Sequence, residues 1–188
     1  SIAAALAYIA LKCEDNVVIG ALTDRLVAYR KIGNSKNAIW TVGDFLHTLP
    51  TAGNTNLNRA LYDLGRIAMT PGLTIVISDF MDTNGYEIGV RAVRQLRQEV
   101  ALLQILSPDE LDPQLQGDWQ LRDSEGSHTV EVSAGSHILQ AYRDRLAQFT
   151  EELAACAHRY AGSYTLIASD TDIIDVVQRL LRQVELVR

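Results

Sequence analysis

Cysteine is nearly absent from this chain. Cys13 and Cys156 are the two in 188 residues. They are too few and too far apart for a disulfide framework or a zinc site. Both fall on helix faces predicted to be apolar, so they read as buried free thiols, which suits a reducing compartment. Basic clusters are also missing. Seventeen Lys and Arg stand against 23 Asp and Glu, a formal charge of −6. No Lys/Arg run or aromatic-basic interleaving offsets that balance, which argues against broad nucleic-acid or anionic-membrane binding. The apolar opening, residues 2–11, has no basic leader and falls short of the ~20 residues a membrane span needs. It reads as a core helix, with no membrane contact by this segment. There is no P-loop, no GxGxxG after a strand, no GxSxG elbow and no Cys/His nucleophile pair. The absence of local motifs does not exclude an enzyme, but nothing supports one.

The hydrophobic content of 47% is ordinary for a globular protein. The length is enough for one domain with a substantial core, taken here as 1–188. Residues 1–13 predict a helix with Ile2, Leu6, Ile9 and Ala10 or Cys13 on one face. Residues 17–22 are a continuous apolar run, as in a strand buried on both faces, and they form a hairpin with the segment starting at Leu26. Helices are predicted over 36–49, 56–69, 86–98, 136–161 and 171–184. Ile88, Val93 and Leu96 face inward in the third of these, and Ile174, Val177, Leu181 and Val184 in the last. Apolar strands are predicted over 73–77, 100–106 and 164–168. Residues 107–136 interrupt the rhythm with a small inserted hairpin. Strands alternating with helices mean an α/β fold with a mainly parallel sheet and helices on both faces.

In open parallel sheets, ligands gather at the carboxyl ends of strands. Ser78-Asp79-Phe80 closes the run Leu73-Thr74-Ile75-Val76-Ile77, so Asp79 occupies such an end. An Asp there can hold a cation, cap the next turn, or reach a phosphate through magnesium. Twenty-four residues earlier, Gly53-Asn54-Thr55-Asn56-Leu57 runs from a Gly/Asn turn into a helix. Thr55 there is either the N-cap or a hard, uncharged oxygen donor for magnesium. Gly53 and Asn54 permit the tight or left-handed backbone that would aim it. Other candidates are weaker. Asp82 reads as solvated, with a supporting role beside Asp79 as the alternative. Asp123 and Glu125 flank a hairpin turn, where acidic residues serve solubility. His47, His128, His137 and His158 are scattered over separate elements and read as surface or cap residues.

Taken in order, these segments resemble a family. Leu6-Ala7-Tyr8-Ile9-Ala10-Leu11 followed by Glu14-Asp15-Asn16-Val17-Val18-Ile19-Gly20 resembles the first helix and second strand of bacterial von Willebrand factor A (vWA)-like proteins of "domain of unknown function 58". Gly53-Asn54-Thr55-Asn56-Leu57 is similar to its Gly-x-Thr-Asp/Asn-Leu segment, and Ile77-Ser78-Asp79-Phe80-Met81-Asp82 to its Ile-Ser-Asp-Phe-x-Asp segment. Residues 103–111 resemble its strand-to-hairpin segment. Leu121-Arg122-Asp123-Ser124-Glu125-Gly126 resembles its turn, without the usual Thr. The likeness extends over nearly the whole chain.

The resemblance implies a Rossmann-like vWA-type fold and a metal-ion-dependent adhesion site, with Thr55 and Asp79 as Mg2+ ligands. It implies protein binding rather than catalysis, and a partner such as a MoxR-type AAA+ ATPase in assembling or maturing protein complexes. The expected location is cytoplasmic, in a parent that is itself membrane-anchored. The family's Asp-x-Ser-x-Ser loop and the strand before it precede the first helix and have no counterpart here. The expectation for the chain as it stands is weak metal binding, with the vacant strand position filled by rearrangement or by strand exchange in a homo-oligomer. Two alternatives stay open: a metal-free vWA-like scaffold, and a Mg2+-dependent phosphohydrolase or nucleotide-binding enzyme on the same kind of sheet.

Overall fold

The computed structural model describes residues 1–49, 55–65, 67, 70–113, 117–122, 129–134 and 136–186. Its centre is a parallel sheet of three strands in the order β3–β4–β7, formed by β3 (Gly72–Ser78), β4 (Gln98–Leu106) and β7 (Ser163–Ala168). Gly72 pairs with Gln98 and Ser78 with Gln104 along one ladder. Ala101 pairs with Ser163 and Leu106 with Ala168 along the other. The predicted apolar runs are all present, and β4 is buried along most of its length. A run without alternation is what a strand covered on both faces requires.

One face of the sheet presents Val76, Val100 and Leu102. Leu57 and Leu61 of α3 (Leu57–Leu64), Val90 and Val93 of α4 (Glu87–Gln95), and Leu153 and Ala157 of α6 (Ser136–Arg159) close over it. The other face presents Ile75, Ile77, Leu103, Ile105 and Ile167. It is covered by Val176 and Leu180 of α7 (Ile173–Leu186) and by Ile2 and Leu6 of α1 (Ile2–Lys12). The result is a Rossmann-like α/β arrangement with helices on both sides of the sheet.

The hairpin of β1 (Val17–Leu22) and β2 (Leu26–Gly33) is antiparallel, as its sequence predicts, but β1 is not buried on both faces as its apolar run suggests: Val17 and Ile19 pack towards the helices, while Val18 is 38% exposed. Among the described residues the hairpin forms a ladder of its own and is not hydrogen-bonded to the parallel strands. Helix α1 joins the two parts. Its Ala7 and Leu11 pack with Val17 and with Val42 of α2 (Ile39–His47), while Ile2 and Leu6 face the parallel sheet. The inserted hairpin is β5 (Gly117–Arg122) with β6 (Thr129–Ala134). A short helix that the sequence reading does not place, α5 (Pro108–Leu111), precedes it. Ser107 and Glu110 close its capping box and Pro108 occupies its first turn.

Three further sequence expectations need correction. Cys13 is exposed, because it stands at the C-cap of α1 beyond the buried stripe. Only Cys156 is buried, and burial pushes its thiol pKa up. In α4, Ile88 points outward, 68% exposed, and Val90 takes the core position beside Val93. Gly89 sets this phase: a Cβ there would lie 2.8 Å from the Leu61 Cβ, so α3 and α4 meet at the residue without a side chain. In α7, Ile174 is 63% exposed and Val176 and Leu180 are buried. Both phases of that helix offer an apolar stripe, and periodicity does not separate them.

Helix α6 stops in a left-handed turn. Ala161 has φ +52, its amide donates to the His158 carbonyl, and the Gly162 amide donates to the Ala157 carbonyl at 2.8 Å. A Cβ on Gly162 would lie 2.3 Å from the Val100 carbonyl oxygen. That oxygen belongs to the central strand and cannot retreat. Gly162→Ala is therefore expected to cost about 2 kcal/mol, read as a lower urea midpoint with an unchanged slope.

Candidate functional site at the end of β3

The site forms where β3 runs out. Phe80 has φ +61, the left-handed region, which is unusual for a bulky residue. Three hydrogen bonds hold this turn. The Phe80 amide donates to Ser78 Oγ at 3.0 Å, the Met81 amide to Asp79 Oδ1 at 3.0 Å, and Gln104 Nε2 to the Asp79 carbonyl at 2.8 Å. The turn sends two consecutive side chains opposite ways. Asp79 is exposed, while Phe80 is buried. The Phe80 ring meets Tyr86 edge-on at 5.9 Å, and Tyr86 in turn meets Phe149 of α6 at 6.3 Å. Aromatic pairs in this geometry contribute about 0.5–1.5 kcal/mol beyond their burial.

Asp82 is half-buried and clamps the loop to α3. Its Oδ2 accepts the Leu57 amide at 2.6 Å, and its Oδ1 accepts the Asn84 amide at 2.8 Å and Asn84 Nδ2 at 2.9 Å. The Gly85 amide donates to the Asp82 carbonyl at 3.0 Å. Asn58 strengthens the join: its Oδ1 accepts the Gly89 amide at 2.9 Å and its Nδ2 donates to the Asn84 carbonyl at 2.6 Å. A carboxylate at a helix start satisfies an orphan amide and complements the helix dipole. Asp82 is therefore not a solvated residue; sequence reasoning missed that role because its partner lies 25 positions away.

Thr55 lies two residues before the clamped Leu57 and is half-buried. It is not the cap of α3. That residue is Asn56, whose Oδ1 accepts the Arg59 amide at 2.9 Å. The Asn56 amide donates to the Thr23 carbonyl of the β1–β2 turn at 3.0 Å, so this stretch joins the hairpin, α3 and the β3 loop. The structure thus gathers the Thr55 and Asp79 segments at one end of the sheet, linked through Asp82. Gly53, Asn54, Asp123, Glu125 and His128 lie outside the described residues. His47, His137 and His158 are exposed. Among the described residues, no three of His, Cys, Asp and Glu come together as a metal cluster. An open cavity of about 220 Å³ adjoins the loop, with Phe80, Asp82, Arg145, Leu146 and Phe149 on its walls.

The model for the family "Protein of unknown function DUF58" matches residues 1–153. The chain belongs to that family. No curated protein matches it. An aerotolerance-related membrane protein from Bacteroides fragilis NCTC 9343, solved with multiple mutations to serine, superposes with a TM-score of 0.55 at 13% identity over 97% of this chain and 85% of that one. BatB from Bacteroides thetaiotaomicron gives 0.49 at 13% identity, over 97% and 87%. An uncharacterised membrane-spanning protein from Vibrio fischeri gives 0.27 at 14%, over 97% and 83%. At such identities the first of these speaks for the fold alone. Among the described residues, no helix of this DUF58 chain is long and apolar enough to cross a membrane.

Two outcomes test this description. Asp82→Ala removes the acceptor for Leu57 and Asn84 and is expected to cost about 1–2 kcal/mol, with Asp82→Asn costing less; both are read by thermal and urea unfolding. The second concerns alkali. Burial, aided by nearby Cys156, Glu152 and Glu87, pushes the Tyr86 hydroxyl from its ordinary pKa near 10 up to about 12. The folded chain then holds that proton more firmly than the unfolded chain. The stability this contributes is intact below about pH 10 and is lost as pH rises through about 12. Tyr86→Phe is expected to flatten the fall in urea midpoint across that window.

Proposed function

We propose that this chain is a non-enzymatic protein–protein interaction module of vWA type, acting through the loop end of β3 and the start of α3. The observation that carries the reading is the exposed carboxylate of Asp79. It stands at the carboxyl end of a parallel strand, on a turn whose next residue is locked into the core. Such a group is rigidly presented without being consumed by a buried ion pair.

Mg2+ is the cation we assign to this end of the sheet. Asp79 and Thr55 are hard oxygen donors of the kind Mg2+ takes, and Ser78 Oγ lies 3.4 Å from Asp79 Oδ1. The described residues offer few charged donors, so water and a carboxylate of the partner would complete the shell. The bound cation would supply the attraction for that partner carboxylate. Thr55 and Asp79 would hold it in place, and the Asp82 clamp keeps their segments together. Membership in the DUF58 family supports a MoxR-type AAA+ ATPase as the partner, in assembly or maturation of protein complexes. It also supports a membrane-anchored parent with this segment on the cytoplasmic face. Pairing of copies through β1 and β3, each with a single ladder partner among the described strands, belongs to the same reading.

One observation favours a second reading, a metal-free scaffold: Asp79 Oδ1 already accepts the Met81 amide and closes its own turn. Calorimetric titration separates the two. Mg2+ and Mn2+ are expected to bind the chain weakly, with binding abolished by Thr55→Ala and by Asp79→Ala while the folds persist. Absence of binding to the unaltered chain would overturn the metal and leave the scaffold.

A further inference from the structure

Gln104 is fully buried on β4, yet both ends of its side-chain amide are used. Its neighbours dictate which way the amide faces. The Asp79 carbonyl can only accept, so Nε2 points to it, at 2.8 Å. Oε1 is then left to accept the Tyr164 hydroxyl of β7, at 2.7 Å. The resulting relay runs from the third strand, across the central one, to the loop of the first.

The relay ends on the peptide between Asp79 and Phe80. That peptide carries the Phe80 amide, which donates to Ser78 Oγ, and the Asp79 carbonyl, which accepts from Gln104. Rotating this peptide plane is the simplest way for Phe80 to leave φ +61, and the rotation would break both bonds. We propose that Gln104 and Tyr164 are positioning residues for Asp79: Gln104 locks the 79–80 peptide, Tyr164 locks Gln104, and together they keep the Asp79 carboxylate outside while Phe80 stays in the core. The proposal rests on Asp79 being the interaction residue. It extends that reading to two buried side chains, one of them on a strand remote in sequence.

A built-in control lies on the same strand. Gln98 is also buried, donates to the Thr70 carbonyl at 2.7 Å and accepts from the Thr74 hydroxyl at 3.2 Å. It sits at the opposite end of β4 and does not touch the turn. Loss of a buried amide network is common to Gln98→Leu and Gln104→Leu, whereas loss of the turn is specific to the second.

The experiment is amide hydrogen exchange of Phe80 and Met81 by NMR on the full chain. The variants are Gln104→Leu, Tyr164→Phe and Gln98→Leu, each compared at matched global stability, with Mn2+ affinity measured in parallel. Exchange at Phe80 is expected to rise on the order of tenfold in Gln104→Leu, several-fold in Tyr164→Phe, and not at all in Gln98→Leu. Mn2+ affinity is expected to weaken in the same order. Should Gln104→Leu not fold, Tyr164→Phe decides alone, since it keeps the ring and drops one hydroxyl. Unchanged exchange in Tyr164→Phe, or a change in Gln104→Leu no larger than in Gln98→Leu, overturns the relay. Expected exchange without any Mn2+ binding by the unaltered chain sustains the positioning role and removes the metal.

Discussion

Strand β4 imposes the condition that the rest of the structure meets. From Ala101 to Gln104 it pairs with parallel neighbours on both sides, and most of its side chains are buried above and below. Such a strand is stable only if two helical layers close over it, and each layer here is assembled from distant segments. α3, α4 and α6 supply one; α1 and α7 supply the other. Its buried polar side chains are Gln98 and Gln104, near its two ends, where a buried amide has loop carbonyls and side-chain hydroxyls within reach. The middle of the strand has no such partners and is Val100, Ala101, Leu102 and Leu103.

Much of this was legible from residue order. The continuous apolar runs located the three parallel strands, and their alternation with amphipathic segments gave helices on both faces. Helix ends were harder to place. The left-handed residues that stop α1, α4 and α6 are Glu14, Arg97 and Ala161, not the glycine that usually marks a stop. Helix phase failed where the decisive residue was small or where two stripes competed. Gly89 carries no hydrophobic signal, yet it fixes how α4 meets α3, and adjacent Ile173 and Ile174 cannot both face the sheet.

At the candidate site, residue type pointed to Asp79 and Thr55, while the residues that hold their segments were invisible. Asp82, Asn58, Gln104 and Tyr164 act across 25 to 60 positions. Nothing local distinguishes a clamping carboxylate from a solvated one, or a buried glutamine that bridges strands from an ordinary polar residue. The cap of α3 shows the limit at short range. Thr55 and Asn56 are both competent caps, and the bond from the Asn56 amide to Thr23 accompanies the choice of Asn56.

The Asp82 loop has a consequence for chemical ageing. Asn84-Gly85 is an asparagine followed by glycine, the step most prone to lose its amide when the following backbone nitrogen closes a ring onto the side-chain carbonyl. Here the attacking nitrogen is engaged with the Asp82 carbonyl, and the leaving amide nitrogen is held by Asp82 Oδ1. The clamp that sets the geometry of the loop also keeps its weakest covalent step out of reactive alignment. Wherever that clamp opens, the rate at which the loop acquires a new negative charge becomes a slow clock of how often it does so.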